Sequence, residues 1–178
     1  MKFKIFFLVI IFLLTLPSCG QDMQNEPKVV KNVDLKKYAG LWYEIAKIPN
    51  RFQKHCKSGT TAQYKVMDDG KIEVINSCID EDGERDDAEG IARLVDASSN
   101  AKLEVSFVSV LGINLFWGDY WILGLGMDYD YAVVGTPTRK YGWILGRTPK
   151  VSDEKLKEAF EILKSQGYDT KKFEMTVQ

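Results

Sequence analysis

A chain of 178 residues has room for one domain of ordinary size, whose core needs neither a metal nor several disulfides to hold it. Its 24 basic and 25 acidic side chains nearly cancel, which leaves no electrostatic footprint for nucleic acid.

In chain order, Met1-Lys2-Phe3-Lys4 is a short positive start, followed by twelve residues, 5–16, that are apolar except for Thr15. Such a run is too short to span a bilayer and suits a signal peptide. It ends in Leu16-Pro17-Ser18-Cys19-Gly20, which resembles a bacterial lipobox, where small residues precede the cysteine that becomes the lipid-carrying first residue. Residues 1–18 are therefore expected to be removed and Cys19 to be lipidated. Residues 19–33, polar and aperiodic, read as a flexible tether carrying a domain over 34–178. Without Lys2 and Lys4 the 24 basic side chains fall to 22 against 25 acidic ones, a net charge of −3. The lipobox implies the periplasmic side of an envelope membrane. Gly20 is not the Asp that commonly marks inner-membrane retention, so the outer membrane is expected. With Cys19 spent on the lipid, Cys56 and Cys78 are an even remainder in an oxidising compartment, which suggests a bridge, two separate buried thiols being the alternative.

The first strand lies in "YAGLWYEIAKIP", Tyr38 to Pro49, and is apolar on both faces. Alternation sends Trp42, Ala46 and Ile48 to one face, read as the interior, and Tyr43 and Ile45 to the other. Alternating runs then recur every eight to twelve residues or so, the spacing of an all-β sandwich or barrel. Runs at 60–67 and 71–79 flank Asp68-Asp69-Gly70, a strong hairpin signal. Further runs cover 88–95, 103–108, 119–126, 131–136 and 142–147, which with the opening stretch makes eight. Eight consecutive antiparallel strands joined by short turns close into an up-and-down β-barrel with no edge, its interior wide enough for one small ligand. One α-helix follows: Ser152 caps it, Asp153 and Glu154 occupy its first turn, and Leu156, Ala159, Phe160 and Leu163 recur at helical spacing until Gly167. Its single apolar stripe must lie on the outside of the barrel.

Three segments stand in order: Gly40-Leu41-Trp42, Met127-Asp128-Tyr129-Asp130-Tyr131 and Trp143-Ile144-Leu145-Gly146-Arg147-Thr148-Pro149. On them the chain resembles the lipocalin family, with Met127 where the second motif usually has Thr. The stretches "GLWYEIAKIPNRFQ", "DGKIEVIN" and "YAVVGTPTRKYGWILGRTP" are similar to the bacterial outer-membrane lipocalins and their apolipoprotein D relatives in particular. The resemblance implies that Gly40, Trp42, Asp128, Tyr129 and Arg147 gather at the closed end as structural residues, Arg147 laying its planar cation on the face of Trp42. Strand direction then places loops 50–59, 80–87, 109–118 and 137–141 at the mouth, where a Cys56–Cys78 bridge would pin the lid. Alternation turns Tyr64, Asn76 and Phe107 inward, and Tyr120 and Trp143 correspond to pocket positions of apolipoprotein D-like lipocalins. Such an apolar set with a few polar handles is the usual make-up of a small-molecule site. The apolar segment 108–117 either folds back as a lid or contacts a ligand, a partner or a membrane.

The function this implies is binding and transport of a fatty acid or lysophospholipid in the calyx at the outer membrane, in support of envelope maintenance under stress. Two other classes compete: a lipid-modifying lipocalin-type enzyme, and a non-catalytic interaction lipoprotein with a filled barrel. Catalysis is not expected, because His55 is the only histidine and its sequence neighbour Cys56 is expected to be oxidised. No cofactor and no metal are expected; the acidic loop 80–87 fits a calcium loop badly, since Cys78 stands where the first carboxylate belongs. The expected partners are a single-chain lipid and, through the anchor, a membrane, but no nucleic acid. A monomer or weak homodimer is expected.

Overall fold

Short alternating runs separated by tight turns produce a closed barrel in the computed structural model, which describes residues 26–178. The expected signal peptide, 1–18, and the lipidation site Cys19 lie outside the described residues. Eight long strands form the staves: β1 (Gly40–Lys47), β2 (Ser58–Val66), β3 (Ile72–Ile79), β4 (Arg85–Leu94), β5 (Lys102–Ser106), then, after β6 (Val108–Val110) and β7 (Ile113–Leu115), β8 (Gly118–Leu125), β9 (Tyr131–Gly135) and β10 (Gly142–Gly146). Each stave pairs antiparallel with the next, and β10 returns to pair with β1, so the barrel has no open edge. A one-turn helix, α1 (Leu35–Tyr38), enters beneath the barrel, and α2 (Asp153–Ser165) follows it on the outside.

Three elements go beyond the expected meander. Strands β6 and β7 form their own hairpin at the mouth, turned by Leu111 and Gly112, both with positive φ (51° and 79°), as a two-residue hairpin loop requires. The short β11 (Glu174–Met175) pairs with Ala46 and Lys47 of β1, beyond the point where β2 has left it. Strand β4 begins at Arg85 rather than at 88, because Arg85, Asp86 and Asp87 pair with Ile79, Cys78 and Ser77.

The apolar residues divide into two cores separated by the barrel wall. Trp42, Tyr64, Val74, Leu103, Ile122 and Val134 fill the inside, while Ile45, Trp121, Val133, Ile144, Ala159 and Leu163 lie between the wall and α2. The second core is where the helix stripe lands, with Leu156 and Phe160 against it. Ser152 Oγ caps the helix by accepting from the Lys155 N–H. Gly124 lets the helix come close: a Cβ there would stand 2.8 Å from Ile162 Cδ1.

One expectation for β1 is corrected. Glu44 pairs with Leu145, but the next paired residue is Ala46, opposite Ile144, so Ile45 is an extra residue on β1. Such a bulge ends the two-residue alternation. Ala46 and Ile48, expected inside, therefore join Ile45 in the outer core. Residues 26–33, part of the segment read as a tether, lie along the barrel: Lys28 N–H donates to Gln166 Oε1, Val30 N–H to the Ile122 carbonyl and Val33 N–H to the Ser99 carbonyl. The packed chain thus begins before residue 34, because the start of β5 leaves backbone groups near Ile122 that this segment satisfies.

Candidate functional site: the calyx

The site is built on its floor. The Trp42 side chain is fully buried, and its indole N–H donates to the Tyr38 carbonyl over 2.8 Å. The Arg147 guanidinium lies 3.8 Å from the Trp42 ring and donates to the carbonyls of Leu41 (2.9 Å), Lys37 (2.6 Å), Tyr38 (3.1 Å) and Tyr129 (3.2 Å). A planar fork suits this arrangement, since it stacks and donates to several carbonyls at once. Gly40 has φ +96°, and a Cβ there would meet Arg147 Nη1 at 3.4 Å. Tyr129, at φ 57°, accepts the Asp34 N–H on its hydroxyl, which ties α1 to the β8–β9 turn. Gly40, Trp42, Tyr129 and Arg147 thus meet at one end, below the calyx, with Asp128 exposed in the adjoining turn.

Above this floor lies a cavity of about 620 Å³. Tyr64, Asn76, Phe107, Tyr120 and Trp143 all line it. So do Tyr38, Glu44, Gln53 and Thr60, which sequence reasoning did not single out. Tyr38 opens the stretch read as the first strand, but the structure places it at the end of α1, ahead of β1. Glu44 was obscured by its place in a strand with apolar side chains on both faces.

Two polar groups organise the interior. At the floor, Tyr64 Oη donates to Tyr120 Oη over 3.0 Å, and Tyr120 Oη lies 2.7 Å from Tyr38 Oη. Burial raises the pKa of all three phenols, Tyr64 to about 12, so the hydroxyls stay protonated at neutral pH. Higher on the wall, Glu44 is 3% exposed and almost fully engaged. Its Oε1 accepts from Lys47 Nζ (2.9 Å) and Thr176 Oγ1 (2.7 Å), and its Oε2 from Gln53 Nε2 (2.6 Å). Gln53 Oε1 in turn accepts from the Trp143 indole over 3.1 Å and so fixes that ring. Lys47 neutralises the buried carboxylate, as a buried charge requires. Among the described residues, the acids lining the cavity are Glu44, Asp86 and Asp119, and no lysine or arginine lines it. Burial, then the nearby Glu104, raises the Asp119 pKa.

At the mouth, Cys56 and Cys78 form a disulfide. His55 lies beside it, 2.8 Å from Asp86 Oδ2 and 3.6 Å from Cys56 Sγ. These three residues cluster as metal ligands would, but both sulfurs are committed to the bridge and offer no thiolate. The rings of Phe52, Tyr141 and Trp143 follow one another at 5.9 and 6.2 Å along the rim. The β6–β7 hairpin does two things: Val108 and Phe116 line the cavity, while Leu111 at its tip is 98% exposed. A separate groove of about 380 Å³ runs over the outer faces of β1, β2 and β3, away from this interior.

A family profile described as a lipocalin-like domain matches residues 33–178. The chain is 40% identical over 158 residues to temperature-induced lipocalin-1 of Arabidopsis thaliana, covering 87% of this chain and 84% of that protein. It is 40% identical over 146 residues to outer membrane lipoprotein Blc of Escherichia coli K12, covering 82% and 79%. Mouse apolipoprotein D is 38% identical over 161 residues, covering 85% and 80%. Among solved structures, insecticyanin of the tobacco hornworm Manduca sexta superposes with a TM-score of 0.69 at 26% identity, covering 85% of this chain and 84% of that one.

Proposed function

The chain belongs to the lipocalin family, and on that premise we propose that it binds a single-chain lipid, a fatty acid or a lysophospholipid, in the calyx and carries it at the outer membrane. The observation that carries this reading is the cavity of about 620 Å³, sealed below by Trp42 and Arg147 and lined mainly by apolar side chains. That volume is ordinary for a small-molecule site and argues against a filled barrel. Tyr64, Asn76, Phe107, Tyr120 and Trp143 are the contacts we assign to the ligand. An acyl chain gains about 0.8 kcal/mol for each methylene taken from water. A lipid drawn out of a bilayer gains almost none of this, which favours single-chain lipids with an appreciable population free in water. No described lysine or arginine lines the interior to neutralise a buried charge, so the charged head of such a lipid belongs at the mouth, in reach of water.

The segment ending in Cys19 and the likeness to a relative named an outer membrane lipoprotein support a lipid-anchored location on the periplasmic side of the outer membrane. The role assigned there is envelope maintenance under stress, without catalysis. His55 is exposed and paired with Asp86, and its sulfur neighbour is oxidised, which leaves no activated nucleophile beside it. Titration of delipidated protein with a fluorescent fatty acid, and competition by lysophospholipid, tests the reading. Saturable, one-to-one uptake is expected, and its absence for both lipids would overturn the proposal.

A further inference from the structure

The floor of the calyx holds more hydrogen-bond donors than it uses. Tyr38 comes from α1, Tyr64 from β2 and Tyr120 from β8, and all three line the cavity. Their three hydroxyls carry three protons but share only two hydrogen bonds. Tyr64 donates to Tyr120. If Tyr120 then donates to Tyr38, the Tyr38 proton is left over; if Tyr38 donates to Tyr120, the Tyr120 proton is left over. Either way one phenolic proton finds no acceptor among the described residues. Tyr38 and Tyr64 are buried and Tyr120 half-buried, and all three line the cavity, so the left-over proton is open to whatever fills it. Phenylalanine at the same three positions would fill nearly the same volume but would offer a ligand no donor. A floor meant only for the methyl end of an acyl chain gains nothing from this arrangement.

We infer that the calyx selects single-chain lipids bearing an uncharged oxygen, such as a keto, hydroxyl or epoxide group, on the part of the chain that enters first, and that the spare proton of the Tyr38–Tyr64–Tyr120 group binds that oxygen. The inference rests on the reading of the calyx as a lipid site and adds which lipids it favours. The oxygen is uncharged, because the floor offers phenols alone and no described lysine or arginine lines the cavity to neutralise an anion. An ionised carboxylate brought to the floor would lose its water for a single phenolic donor, with the Arg147 guanidinium beneath already engaged by four carbonyls. A carboxylate or phosphate head therefore stays at the mouth, and the inner oxygen is a second functional group on the same chain.

The test compares two fatty acids of equal length in displacing a bound fluorescent fatty acid. One carries a ketone next to its terminal carbon, and the other carries the isosteric C=CH2 group there. The preference for the ketone over its isostere, measured within each protein, is expected to fall about tenfold when Tyr38→Phe, Tyr64→Phe and Tyr120→Phe are combined. An equal preference in the two proteins overturns the inference while leaving the lipid site standing. The unaltered protein gives an independent reading by infrared spectroscopy of the ketone labelled with carbon-13. A carbonyl stretch below its position in hydrocarbon solvent is expected, and a hydrocarbon-like position overturns the inference even if the triple variant does not fold. Failure of the fluorescent fatty acid itself to bind removes the lipid-site reading, and this inference with it.

Discussion

Arg147 shows how much one side chain decides here. Its fork gathers carbonyls from Lys37, Tyr38 and Leu41 on one side and Tyr129 on the other, while its face covers Trp42. Burial lowers its pKa, with Tyr38 acting in the opposite direction, yet an arginine stays charged at any physiological pH. Lysine keeps the charge but has neither the fork nor the stacking face. Arg147→Lys is therefore expected to lower stability by about 3 kcal/mol, from the carbonyls left without a donor. A urea midpoint equal to that of the parent protein would show that charge alone suffices. This pair was legible in the sequence, because Trp42 and Arg147 sit in motifs with recognisable neighbours. Tyr38 was not, because its importance arises only when Tyr64 and Tyr120 arrive from distant strands.

At the scale of elements, the barrel wall separates two functions. The inner core shapes the cavity, and the outer core holds α2 against β8, β9 and the bulged part of β1. Leu163 is fully buried in the outer core and is absent from the residues that line the cavity. Leu163→Ala is expected to reduce stability by about 3 kcal/mol, through lost burial and the cavity left behind. Lipid affinity, measured by the same fluorescence titration, should not change; a parallel loss would mean that α2 helps shape the calyx. The helix and most strands were readable from periodicity and caps. The bulge at Ile45 was not, since both faces of β1 carry apolar side chains and its two charged residues, Glu44 and Lys47, pair with each other instead of marking a solvent face.

At the scale of the molecule, closure at the base and control at the mouth are separate devices. The base is sealed by packing and hydrogen bonds, whereas the mouth is tied by the Cys56–Cys78 bridge across 22 residues of sequence separation. Replacing both cysteines by serine is expected to lower stability by about 3 kcal/mol, mainly by freeing the unfolded chain. Stopped-flow release of the fluorescent lipid should also quicken, because the loop carrying Phe52 and Gln53 loses its tie to β3. Unchanged release would place the gate elsewhere on the rim, with the β6–β7 hairpin the next to examine. The sequence by itself determined the number of staves, their order, the helix outside them and the residues that seal the floor. Each of these depends on local periodicity, turn chemistry or a motif, all of which can be read along the chain. Only the tertiary structure decided that Ala46 and Ile48 join Ile45 outside the barrel, how Glu44 is neutralised and that three tyrosines share two hydrogen bonds. Those depend on a register shift and on contacts between residues far apart in sequence, which alternation within any one strand does not encode.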